Sequence, residues 1–109
     1  MTLEELYCVL CKTGYPTAYE AHVPPAAPPY IIYEEMSRDN VLADDKIIGQ
    51  YKNIRISLFT TGRDLSAEEK LANVLDDSGI IYDVYSIGSA DNEKLYEVDY
   101  EIQIWEEKQ

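Results

Sequence analysis

The chain has 109 residues, with nine basic against 21 acidic side chains and a formal net charge of −12, so it is expected to fold as one domain, 1–109, that buries roughly two thirds of its unfolded surface. That charge argues against direct binding to nucleic acid, which rests on Lys and Arg contacts to phosphates, and no apolar run approaches the ~20 residues needed to span a bilayer. The opening residues lack the basic region and apolar core of a signal peptide, so the expected site of synthesis and residence is the cytoplasm unless an assembly carries the chain out.

Thr2 and Glu5 form a capping box, and Leu3, Leu6, Tyr7 and Leu10 recur at i, i+3, i+4 and i+7, which predicts a first helix ended by Gly14 and Pro16. Residues 15–21 predict a short strand. Residues 23–29, "VPPAAPP", must then be extended, because proline fixes its own φ and biases its predecessor. Residues 30–36 and 46–60 are rich in β-branched and aromatic side chains, and 37–45 between them has turn composition, so a long hairpin is expected with its loop over 37–45. In the second arm Ile54, Ile56 and Leu58 alternate with Asn53, Arg55 and Ser57, the period of a half-buried strand.

A second capping box, Ser66 with Glu69, opens a second helix whose stripe is Ala67, Leu71, Val74, Leu75 and Ser78, and Gly79 stops it. Strands are expected over 80–87 and 94–106, joined by a turn over 88–92. The last strand sets Tyr96, Val98, Tyr100, Ile102 and Ile104 on one face and Glu97, Asp99, Glu101 and Gln103 on the other. The expected fold class is therefore α+β: an antiparallel sheet of four to five strands with two helices on one side, in the order α-(β)-β-β-α-β-β.

Motifs that carry chemistry are few. Cys8 and Cys11 form a C-x-x-C pair, but zinc needs about four ligands and the chain adds only His22, while a redox pair belongs at a helix N-terminus rather than in mid-helix. His22 has no nucleophile frame and reads as a loop histidine. The glycines never take phosphate-loop spacing, and the acids at Asp44-Asp45, Asp76-Asp77 and Asp91-Asn92-Glu93 lack the alternation of a calcium loop. Pro25 to Pro28 satisfies P-x-x-P but has no flanking cation for a partner's acidic groove, and it leads straight into strand material. No catalytic residue, cofactor or metal is expected, and the chain does not read as an enzyme.

The stretch "PPYIIYEEMSRDNVLADDKIIGQYKNIRISLFTTGRDLSAEEKLANVLDDSGIIYDVYSI", followed by "EKLYEVDYEIQIW", resembles the tail-completion or tail-terminator proteins of the neck of long-tailed phages and prophages. The likeness lies in the order of short motifs: Pro-Pro-Tyr with an apolar strand (28–33), Asn40 and Ala43-Asp44 in the hairpin, a strand ending "LFTTGRD", a helix with Glu68 and Leu71, and a terminal "YEVDYE" strand. The resemblance implies a structural subunit that forms a ring on the tail tube, stops its growth and joins tail to head. The implied partners are other copies of the chain, the tail-tube protein and the head-connector proteins, in the host cytoplasm during assembly and then in the virion. The hairpin loop is the expected partner-contacting arm, with Ser37, Arg38, Asp39, Asn40, Asp44 and Asp45 as contact residues. An acidic ring would let DNA pass without sticking. Two alternatives stand beside this reading: an acidic DNA mimic that blocks a host nuclease or DNA-binding protein, with Glu97, Asp99 and Glu101 as its row of charges, and a neighbouring structural role in the same neck.

Overall fold

The computed structural model of the protein describes residues 1–21, 23–89 and 95–108. In chain order the elements are α1 (Leu3–Cys11), β1 (Thr17–Tyr19), β2 (Tyr30–Ala43), β3 (Lys46–Thr61), α2 (Leu65–Asp77), β4 (Tyr82–Ser89) and β5 (Leu95–Glu107). Among the described residues the strands form one five-stranded sheet in the order β1-β2-β3-β5-β4. The fold is α+β, and the element order agrees roughly with the expected one.

The sheet is mixed rather than antiparallel. β1 runs parallel to β2, pairing Thr17 with Ile31, Ala18 with Ile32 and Tyr19 with Tyr33. The segment between the two strands bends over residues 25–29, with a cis bond between Pro28 and Pro29, rather than running extended as expected. It carries the chain back to the level of Pro16, whose carbonyl accepts from Ile31 N at 2.8 Å, so that β2 sets out in the same direction as β1. Residues 24–29 lie outside every strand, as a lead-in to β2 should.

Both helices begin on a side-chain cap. Thr2 accepts from Glu5 N at 3.1 Å, as the first capping box requires. The second helix starts earlier than its sequence signal. Asp64, not Ser66, is the N-cap and accepts from Ala67 N at 3.1 Å, because its carboxylate answers both the unpaired amides and the positive end of the helix. At the far end Ile80 N donates to Leu75 O at 2.9 Å around Gly79, whose φ of 72° suits glycine.

The helices share one side of the sheet. Leu6, Val9 and Leu10 of α1 and Ala67, Leu71 and Leu75 of α2 pack with Ile31, Ile54, Ile56, Leu58, Val98, Tyr100 and Ile102 in a single buried cluster. Each such aliphatic side chain contributes about 1.5–3 kcal/mol on burial. Val9 takes the core position expected of Tyr7, which stays 44% exposed and leans toward Tyr33 with ring centroids 6.5 Å apart. No helix among the described residues is long and apolar enough to cross a membrane.

Candidate functional site: a projecting arm and a bare sheet face

β2 and β3 outrun the helices. β3 has 16 residues, and at about 3.3 Å per residue it spans roughly 50 Å, matching the 51 Å long axis of the molecule. The segment expected as a loop over 37–45 is therefore mostly strand. Pairing with β3 continues to Ala43 opposite Lys46, and only Asp44 and Asp45 form the turn. Both have positive φ, 50° and 63°, the backbone of a two-residue type I′ hairpin, which Asp tolerates better than most side chains. Register shifts at Met36 and near Ile48 bend the arm and leave Met36, Leu42, Ile47 and Ile48 exposed, Leu42 at 63%.

The six expected contact residues are thus divided. Asp44 and Asp45 form the arm's tip, Ser37 and Asp39 stand on the face without helices, and Arg38 and Asn40 fall on the other face. Ser37 and Asp39 are tied down: Asn53 Nδ2 donates to Ser37 Oγ at 2.9 Å and to Asp39 Oδ2 at 2.8 Å, and Gln103 Nε2 donates to Asn53 Oδ1 at 3.0 Å. One asparagine therefore stitches three strands together at the arm's base. Arg38 is paired with Glu35, a hydrogen bond that raises its own pKa. Lys52 Nζ lies 2.8 Å from Glu106 Oε2, and this bond, with one from Gln50, holds the Glu106 carboxyl below the usual range. The Trp105 ring lies close to buried Gly49 and against Tyr51, ring centroids 5.0 Å apart.

The sheet face opposite the helices is the second feature. Its residues alternate out of phase with the core: Tyr30, Arg55, Ser57, Phe59, Asp99 and Glu101. Tyr30 stacks on Phe59 at 4.9 Å and is buried although no helix covers it. A charged row crosses the sheet from Glu34 to Arg55, Glu101 and Asp83, and Arg55 answers Glu34 at 3.7 Å while its guanidinium lies 5.8 Å from the Tyr85 ring. Asp99, expected to be exposed with Glu97 and Glu101, is only 7% exposed. Its Oδ1 and the Arg55 Nε are buried without a hydrogen-bond partner. Alternation assigns a face but not the depth at which a residue on that face lies.

Other readings meet plain geometry. Cys8 and Cys11 are exposed free thiols on α1. Among the described residues no group of three His, Cys, Asp or Glu side chains converges as metal ligands would. His22 and the 90–92 part of the expected turn lie outside the described residues, while Gly88 and Ser89 belong to β4. Tyr100 is held well above the ordinary tyrosine range by burial, and its hydroxyl donates to the Glu68 carbonyl at 3.5 Å. No protein-family model matches the chain, and no curated protein matches it.

Proposed function

We propose that the chain is a structural subunit of a phage or prophage neck, a tail terminator that forms a ring on the tail tube, ends its growth and joins it to the head. The observation that carries the reading is that, among the described residues, both borders of the sheet are open and unlike each other. On one side β1 pairs only with residues 31–33 of β2, so the outer edge of β2 over 34–43 runs free along the arm. On the other, β4 closes the sheet with Val84, Tyr85 and Ile87 exposed. Contact between two different borders is heterologous, and such contacts generate a ring where the rotation between neighbours closes. The projecting arm gives each subunit reach beyond its own core, toward a neighbour, the tube protein or the connector.

The net charge of −12 fits a ring through which DNA slides without adhering, since like charge removes the attraction to phosphates. A DNA mimic is less well supported, because Asp99 is buried and so withdrawn from the surface row Glu97, Asp99 and Glu101. The test is deletion of the coding sequence from the phage or prophage that carries it. Filled heads accompanied by overlong or unjoined tails are expected, and normal joined particles would overturn the proposal.

A further inference from the structure

β5 is longer than the strand that covers it. β4 joins at Tyr82 opposite Ile102, so no described strand pairs with the outer edge of β5 beyond that point, while β3 holds its inner edge as far as Glu107. The uncovered edge lies in an open notch of about 710 Å³, flanked by Tyr51 and Trp105 on the bare face and by Ile81, which is 89% exposed. An unpaired edge beside aromatic side chains is a template for an added strand.

The charge at the notch selects the occupant. Asp83 and Glu101 stand directly across the ladder from each other, a like-charge pair that destabilises the sheet as it stands. Among the described residues no Lys or Arg side chain lines the notch, although Met1 does. The nearest cations in the ladder are engaged, Arg55 with Glu34 and Lys52 with Glu106. A second copy would bring the wrong net sign, because its free β2 edge carries Glu34, Glu35 and Asp39 against one cation, Arg38. We propose that the β5 edge beyond Ile102 binds an extended segment of a different, basic protein, whose residues alternate between apolar and Lys or Arg. An added strand abuts the start of β4, so a cation at that end meets Asp83 and Glu101, and an apolar side chain further along the same face meets Trp105. The inference stands apart from the ring reading and holds whatever assembly the chain joins.

Trp105 is the chain's single tryptophan, so selective excitation reports on the notch alone. The probe is a synthetic peptide of alternating lysine and valine, titrated into the native chain. A saturable change in emission is expected. Asp83→Asn with Glu101→Gln should weaken it about tenfold or more, the worth of a hydrogen bond to a charged group. A peptide of equal charge interrupted by a central proline should weaken by at least about as much, because it cannot pair along the edge. Absence of a saturable change would overturn the proposal. So would equal binding of the proline peptide, or an equal loss in the control Glu4→Gln with Glu69→Gln, since either would mean general attraction to an acidic surface. A change in emission with protein concentration alone would assign the notch to a second copy and overturn it too. If the paired notch variant does not fold, the proline comparison on the native chain decides.

Discussion

Replacing Asp99 by valine should make the protein more stable, although it removes a charged residue from the centre of the sheet. Asp99 is 7% exposed and its Oδ1 is sealed from water without a hydrogen-bond donor. Stranding a polar group in this way costs about 1–3 kcal/mol, and valine relieves that cost without adding bulk. Valine also suits a strand better than aspartate, by up to about 1 kcal/mol. The expected gain is about 1–3 kcal/mol, and at about 4 °C per kcal/mol for a chain of this size the melting temperature should rise by roughly 4–12 °C. Urea unfolding checks the free energy, with an unchanged m-value showing that the same surface is exposed. A loss of more than about 1 kcal/mol at constant m would refute the reasoning, because Asp99 would then have a donor in the folded protein. If the bare face is an assembly surface, the stabilised variant should also join tails poorly, the pattern expected where a buried acid is kept for a partner rather than for the fold.

Part-way along the arm, a methyl group at Gly49 would stand 2.9 Å from the Glu106 carbonyl oxygen and closer still to the Trp105 ring. Gly49→Ala should cost about 1–3 kcal/mol in urea unfolding and shift tryptophan emission to the red as the ring is displaced; unchanged emission would contradict this packing. At the tip, Asp45→Gly should stabilise the hairpin by about 0.5–1 kcal/mol, because glycine takes the φ of 63° without the left-handed penalty, and a loss of stability would argue against the type I′ turn. In alkali, burial raises the pKa of Tyr100 above all, and of Tyr15, Tyr30 and Tyr33. The raised pKa values favour the neutral phenols in the folded state, so their contribution to stability is complete below the unfolded value of about 10 and is lost as pH rises above it. Absorbance should show a first set of tyrosines ionising before the buried ones, which ionise on unfolding; a single titration near pH 10 with the fold intact would contradict the burial.

Where side-chain period and local caps agreed, the fold was legible in the sequence. Leu71 and Leu75 are both core and both on the stripe read for the second helix, and Val98, Tyr100, Ile102 and Ile104 are buried in the alternation read for the last strand. The arm was not legible, because Ser37, Arg38, Asp39 and Asn40 have turn composition, and it is pairing with β3 that makes them a strand. Parallel pairing of β1 was equally hidden, since three residues carry no directional signal and the direction is set by the proline segment beyond them. Of the site, the tip aspartates could be read from turn chemistry, whereas Asn53 as the tie between Ser37, Asp39 and Gln103 required the register of three strands. The notch beside Trp105 arises only because β4 starts late against β5, a difference in strand length that no local pattern records.

The most direct test of the central claim is electron microscopy of tail tubes from particles lacking this chain, with the purified protein added back. A ring at one end of each tube only is expected, with recovery of joining when filled heads are supplied. Tubes that remain bare, or that are decorated along their length while heads and tails stay apart, would contradict it.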